Sequence, residues 1–295
     1  MKALIFSDLH LNNPRWRSGP YVDTLFPEED FDVLLLGGDN AEPSPNRENH
    51  YRLFDHLQRK IRCPIAFVAG NHDIWDSDPS HTAEELLFGV YPEMAMKMGV
   101  HYLETTNLDI KNWTIVGTYG HYDYSFPAVD DDRQKMKDVE TGRLITFTES
   151  GKVKRERTYQ DFLKINMGKT TNPDLCNKIL DRFEMRVRHA RGSLMTISHT
   201  LPDISFAGTS AEARSPYSGS KRLGEIIKTH WSAYHFCGHT HHYFNGKFGS
   251  VDAVNIGSGG DTFRYVILDT TSSKKIKTIS CSMDNPPRDM RFSRE

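Results

Sequence analysis

Five short apolar runs in this chain end abruptly in metal-ligand or acid–base side chains, and this repeated junction limits the fold more than any other feature. The sharpest is Pro64-Ile65-Ala66-Phe67-Val68-Ala69, followed at once by Gly70-Asn71-His72-Asp73. An apolar run that stops at a glycine, an amide, an imidazole and a carboxylate reads as a buried strand opening into a loop that carries chemistry. The same junction recurs at Asp8 and His10, at Asp39, at His199, and at His239 and His241. These strand ends are expected to converge on one site.

The rest of the chain suits that arrangement. Strands are expected over 2–6, 33–36, 65–69, 100–103, 113–116, 194–197, 234–237, 254–256, 265–268 and 276–279, several of them continuous apolar runs that suit strands covered on both faces. Amphipathic helices lie between them. Over 49–61, Leu53, Phe54, Leu57 and Ile61 form one stripe. Thr82-Ala83-Glu84-Glu85 fits a capping box, opening a helix through Leu86, Leu87 and Val90 that Pro92 is expected to disturb. Asn172-Pro173 reads as a cap with proline at the first helical position, ahead of Leu175, Ile179, Leu180 and Phe183. A shorter helix is expected over 223–228. Alternating strands and helices, with strands crowding the end, predict an α/β layered fold with sheets inside and helices outside. In such folds ligands collect beyond the carboxyl ends of the strands.

At 295 residues the chain can bury a substantial core. Its formal charge of -2 argues against bulk nucleic-acid binding, which needs a basic excess. Cys63, Cys176, Cys237 and Cys281 have no metal spacing and read as reduced, buried thiols. The segment from Ala3 to Phe6 is far too short for a signal peptide, and no run reaches the roughly 18 apolar residues of a membrane span, so a cytoplasmic protein without membrane contact is expected. A single domain over 1–283 is expected to carry an insertion at about 121–171, which is polar, holds Asp130-Asp131-Asp132 and the basic Lys152, Lys154, Arg155 and Arg157, and includes a hairpin over 143–157. That segment is either a solvated excursion or a substrate lid. Residues 284–295, with Pro286-Pro287, read as a loosely ordered arm.

Asp8-x-His10 and His239-x-His241 each put two ligands on one side of an extended backbone. The glycines of Gly37-Gly38-Asp39 let the chain turn tightly and bring the carboxylate close to another group. Asp8, His10, Asp39, Asn71, His199, His239 and His241 supply oxygen and imidazole donors without thiolate. That set exceeds what one ion needs and suits two adjacent Mn, Fe or Zn ions. With Asp39 bridging, the ions would lie roughly 3.5 to 4 Å apart and hold a hydroxide suited to attack on phosphorus.

The order Asp8-x-His10, Gly38-Asp39, Gly70-Asn71-His72-Asp73, His199, Gly238-His239-Thr240-His241 resembles the five-block signature of the calcineurin-like metallophosphoesterases, and Asn255-Ile256-Gly257-Ser258 is similar to the strand and turn that follow its last block. The resemblance implies a four-layer α/β/β/α sandwich of two mixed β-sheets, with a dinuclear centre at the strand C-terminal ends. It implies that Asp8, His10, Asp39 and His241 hold one ion and that Asp39, Asn71, His199 and His239 hold the other. It makes His72 catalytic, protonating the leaving oxygen or stabilising its charge. Asp73 is expected either to orient His72 or to cap the turn.

Gly38-Asp39 is followed by Asn40-Ala41-Glu42-Pro43, without the arginine block of the protein phosphatase branch, and the pattern looks more like the bacterial phosphodiesterases. The expected activity is a dinuclear-metal phosphoester hydrolase acting on a phosphorylated small molecule or nucleotide, leaning towards phosphodiesters. A phosphomonoesterase, a nuclease and a non-catalytic scaffold are the alternatives. His50, His56, His81, His101, His189 and His230 are assigned to surface or structural positions, His235 to the core, and His242 to packing on the far side of a strand. Trp16, Arg17, Trp75, His121, Tyr122 and Tyr124 lie in loops near the blocks, where packing is slightly favoured over substrate contact, and Arg214 is a candidate phosphate clamp.

Overall fold

The computed structural model describes residues 1–11, 27, 29–75, 80–127, 130–131, 134–148, 150–208, 215–259 and 262–282. Trp16, Arg17, Arg214 and the arm over 284–295 lie outside the described residues. The described elements run β1 (Lys2–Phe6), β2 (Val33–Gly37), α1 (Glu48–Lys60), β3 (Ile65–Val68), α2 (Asn71–Ile74), α3 (Tyr91–Met98), β4 (His101–Tyr102), β5 (Leu108–Ile110), β6 (Trp113–Thr118), β7 (Asp130–Asp131), β8 (Gln134–Asp138), β9 (Arg143–Phe147) and β10 (Val153–Thr158). They continue with α4 (Gln160–Lys164), α5 (Asn172–Arg188), β11 (Ser193–Ser198), α6 (Lys221–Thr229), β12 (Tyr234–Cys237), β13 (Phe244–Phe248), β14 (Val251–Asn255), β15 (Thr262–Asp269) and β16 (Ile276–Ser282).

Two mixed six-stranded sheets, ordered β16-β15-β1-β2-β3-β4 and β13-β14-β12-β11-β6-β5, stack face to face. The period-two alternation of each strand explains the layering. In β1, Ala3 and Ile5 point with Val33, Leu35, Ala66 and Val68 towards Ile115, Met195, Ile197 and Phe236 of the other sheet. Leu4 and Phe6 face the opposite way, packing with Leu34, Leu36 and Phe67 against Leu53, Phe54 and Leu57 of α1 and Tyr91 and Met94 of α3. The outer face of the second sheet does the same with α5 and α6, through Val116, Leu194 and Ala253 against Leu180, Phe183, Leu223 and Ile227. The result is the four-layer α/β/β/α sandwich. Parallel pairing of β1, β2 and β3, and of β6, β11, β12 and β14, sends the carboxyl ends of these strands to a common edge.

Some local details differ from expectation for identifiable reasons. The Thr82 capping box forms, with Glu85 N donating to Thr82 Oγ1 at 3.3 Å and Thr82 N donating to the Glu85 carboxylate at 2.7 Å. Pro92 does not end that helix. A π-helical stretch (Leu86–Val90) leads into α3, whose first turn contains Pro92 where its missing N–H is least costly. The cap of α5 is Thr171, whose hydroxyl accepts from Asp174 N at 3.2 Å, one residue before the expected Asn172. Strands β5 and β13 were not expected. Both lie at sheet edges and are partly exposed, so neither carries an apolar run. Residues 121–171 include strands β7 to β10 as a four-stranded antiparallel sheet, with β9 and β10 forming the expected hairpin, and then α4.

Candidate metal centre

The candidate ligand side chains stand just beyond β1, β2, β3, β11 and β12, and the backbone there is under unusual constraint. Asp8, His10, Asp39, His239 and His241 all have left-handed φ, from 42° at His10 to 72° at His239. Such a conformation costs about 1–3 kcal/mol for a residue with a side chain, and Asp and His are among the few that tolerate it. Cross-strand bonds hold it in place: Asp8 N donates to Gly38 O at 3.0 Å, His10 N to Asp39 O at 2.8 Å, and His239 N to Asp8 Oδ1 at 2.9 Å. Two glycines are required by contact alone. A Cβ on Gly38 would lie 2.5 Å from His199 Nδ1, and one on Gly70 would collide with the Asp39 carboxylate.

Asp39 lies at the middle of the group. Its Oδ2 is 3.4 Å from His10 Nε2 and its Oδ1 is 3.3 Å from His199 Nε2, so the two carboxylate oxygens face two different imidazoles. On the His199 side, Asn71 Oδ1 lies 2.9 Å from His199 Nε2 and 3.0 Å from His239 Nδ1. On the His10 side, His241 Nε2 lies 3.6 Å from Asp8 Oδ1. Donor atoms of Asp8, His10 and His241, of Asp8, Asp39 and His199, and of His10, Asp39 and His72 each fall within 4.8 Å of one another. Neighbouring ligands of an ion with bonds of about 2.1 Å sit about 3 Å apart, close to the observed spacings.

The imidazoles are also oriented for ligation. His199 donates Nδ1–H to Gly37 O at 3.0 Å, His10 donates Nδ1–H to Glu42 Oε1 at 2.9 Å, and His239 donates Nε2–H to Tyr217 O at 2.8 Å. In each ring the nitrogen left over is the one turned towards the carboxylates or Asn71, which is how a bound histidine has its ligating atom selected. Burial pushes the His239 imidazole down to about 4, with His199 adding to the effect, and burial followed by His10 drives His241 well below the usual histidine range. Both are neutral donors near pH 7.

The carboxylates present the opposite demand. Burial pushes Asp8 up to about 6, with Asp39 adding to the push against His199 and His10, and its Oδ2 is buried with no hydrogen-bond partner among the described residues. Asp39 goes the other way: burial opposes its charge, but His199, His72 and His10 together hold it well below the ordinary carboxylate range. Burial likewise opposes the charge on His199, yet Asp39 holds it up to about 9. A proton on His199 thus supplies part of the positive charge that the buried carboxylates need. A divalent cation would displace that proton, and the donor set fits such an ion.

His72 stands beside the group with its backbone N donating to Asp39 Oδ1 at 2.8 Å and its Nδ1 donating to Glu42 Oε1 at 3.1 Å. Glu42 therefore binds both His72 and His10 through one oxygen. Burial disfavours its charge, but those two hydrogen bonds hold it down at about 2. His72 is raised because Asp39 and Glu42 outweigh its burial. Asp73 turns away from His72, accepting from Gly70 N at 2.7 Å, Asn40 N at 3.0 Å and His50 Nε2 at 2.8 Å, so it caps the turn and ties it to β2 and α1. The contact expected of Asp73 is made by Glu42.

The remaining candidates also find places. Trp75 stacks on His72 with ring centroids 3.6 Å apart, and both Trp75 Nε1 and Tyr122 Oη donate to Asp161, at 2.7 and 2.6 Å. Tyr124 and His121 bond Asn172, while His235 is fully buried in β12. His242 lies before β13 rather than on a strand, with Nδ1 2.6 Å from Thr240 O. Glu42 and Asp161 had no motif to mark them, because their partners are distant in sequence.

The family described as calcineurin-like phosphoesterase matches residues 1–243. No curated protein matches the sequence. Among solved structures, phosphopantetheinyl hydrolase from Mycobacterium tuberculosis superposes with a TM-score of 0.66 at 19% identity, covering 86% of this chain and 88% of that one. GAP50, the anchor in the inner membrane complex of Plasmodium, gives 0.49 at 9% identity over 97% and 86% of the two chains. The 5'-nucleotidase from Candida albicans gives 0.46 at 11% identity over 96% and 52%. At 19% identity the likeness to the phosphopantetheinyl hydrolase is one of fold alone.

Proposed function

The chain belongs to the calcineurin-like phosphoesterase family, and we propose that it is a dinuclear-metal phosphoesterase that prefers phosphodiesters. Asp8, His10, Asp39 and His241 would hold one ion, and Asp39, Asn71, His199 and His239 the other. The observation that carries this reading is Asp39, whose two oxygens face His10 and His199 separately, at 3.4 and 3.3 Å. The oxygen and nitrogen donors suit Mn, Fe or Zn. When bound, such ions supply Lewis acidity to phosphoryl oxygens and lower the pKa of the attacking water.

The protein's own groups do the rest. His72 has Nδ1 committed to Glu42, which leaves Nε2 to give a proton to the departing oxygen. Its raised pKa supports the protonated form. Trp75, stacked on the ring, limits its rotation. His50 and Asp73 belong to the support beneath the turn. The cysteines Cys63, Cys176, Cys237 and Cys281 are all free thiols, which supports a reducing, cytoplasmic setting.

The test compares bis-p-nitrophenyl phosphate with p-nitrophenyl phosphate in excess manganese. A higher kcat/KM on the diester is expected. Faster turnover of the monoester would replace the reading with a phosphomonoesterase, and no turnover of either with two ions bound would favour a scaffold. A phosphopantetheinyl conjugate and short oligonucleotides belong in the same screen, the first because of the shared fold.

A further inference from the structure

We propose that Asp161, in helix α4 of the 121–171 segment, is a positioning residue that fixes the amide of Asn71 with its oxygen towards His199 and His239. The segment is then part of the metal centre's frame and is neither a lid nor a solvated excursion. The proposal rests on the reading of Asn71 as a ligand.

An asparagine can present either its oxygen or its NH2 to a given point, and only the oxygen ligates a cation. Once His199 and His239 give their facing nitrogens to an ion, neither ring has a proton left on that side to select the amide oxygen. The choice must then be made from the other end of the side chain. There, Asn71 Nδ2 donates to Asp161 Oδ1 at 2.9 Å. A carboxylate only accepts, so it takes the NH2 and turns the oxygen inwards.

Asp161 is itself held firmly. It is 5% exposed, and it accepts from Trp75 Nε1 on the same Oδ1 at 2.7 Å and from Tyr122 Oη on Oδ2 at 2.6 Å. Tyr122 is in turn bonded by the Tyr119 hydroxyl at 3.0 Å. Donors from the turn after β3 and from the loop after β6 thus fix one acid carried by α4. Because Trp75 also stacks on His72, the same carboxylate braces the ring beside the proposed acid.

Manganese titration of the metal-free, full-length chain by calorimetry tests this, with Asp161→Leu set against Asp161→Asn. The asparagine keeps an oxygen for Asn71 and Trp75 and can donate to the Tyr122 hydroxyl, so it should bind both ions within about threefold of wild type. The leucine should lose about 10- to 100-fold in affinity at one site, the usual cost of removing the partner that orients a ligand, and leave the other nearly unchanged. If Asp161→Leu does not fold, Asp161→Ser, too short to reach Asn71, takes its place. A folded Leu or Ser variant that binds both ions as tightly as wild type overturns the role of Asp161. So does an equal loss at both sites that Asp161→Asn shares, because that is the mark of general destabilisation. Fewer than two ions on the wild-type chain would instead overturn the dinuclear reading itself.

Discussion

The ring Nδ1 and the backbone N–H of His72 have different partners, and the difference yields a test. Nδ1 is held by Glu42, while the backbone N–H, which donates to Asp39, survives any change of side chain. Replacing His72 by alanine should therefore leave the ions bound and cut kcat by about 10²- to 10⁴-fold, the usual contribution of a general acid. Metal analysis and turnover on the same sample check it, and an undiminished rate on an unactivated diester would sink the assignment. Glu42→Gln should slow the enzyme about 10- to 100-fold by loosening the ring. At saturating manganese the double variant should be no slower than His72→Ala alone, since residues acting as a unit are not additive. The grouping of the seven candidate ligands at one edge was legible because ligand-type side chains at strand ends are rare by accident. Glu42 and Asp161 were not, because they lie 30 and 90 positions from His72 and Asn71 and only the fold brings them close. The left-handed backbone at Asp8, His10, Asp39, His239 and His241 was equally hidden, being imposed by hydrogen bonds between segments.

Among the elements, the central strands were legible because they are buried on both faces and read as apolar runs, as β2 with its Leu34-Leu35-Leu36 shows. The edge strands β5 and β13 carry no such signal. Strand β12 contains an interruption of another kind, the fully buried His235, whose Nδ1 lies 3.0 Å from Thr196 Oγ1 and Nε2 3.3 Å from Ser198 Oγ. Burial alone pushes this imidazole down to about 3 from an ordinary 6.5. Its folded pKa lies below its unfolded one, so below pH 6.5 the unfolded chain binds a proton that the folded chain does not. Stability from keeping this ring neutral is complete above pH 6.5 and is lost as pH falls from there towards 3, at up to about 1.4 kcal/mol per pH unit. Urea unfolding of metal-free protein between pH 7 and 4.5 should show a shallower acid loss for His235→Gln than for wild type. Parallel curves would show that the imidazole is protonated in the folded state.

On the scale of the whole molecule, the proposed centre joins its two halves. Asp8, His10, Asp39 and Asn71 follow strands of the first sheet, whereas His199, His239 and His241 follow strands of the second, so each ion would take ligands from both sheets. An unfolded chain holds no such site, and binding free energy then appears directly as folding stability. Free manganese at about 100 times its dissociation constant should add about 2.7 kcal/mol to the unfolding free energy, for one site binding only the folded state. A chelator should remove the gain. The Asp39 carboxylate is the group shared by both proposed ions, so Asp39→Asn should lose both and leave an unfolding midpoint that neither manganese nor chelator moves. If Asp39→Asn still gains stability with manganese as wild type does, Asp39 does not bridge. The metal-free variant should be less stable than the metal-free wild type, because the neutral amide loses the attraction to His199, His72 and His10 that holds Asp39 well below the ordinary carboxylate range. Loss of metal-linked stability without loss of the fold would then separate the bridging role from a purely structural one.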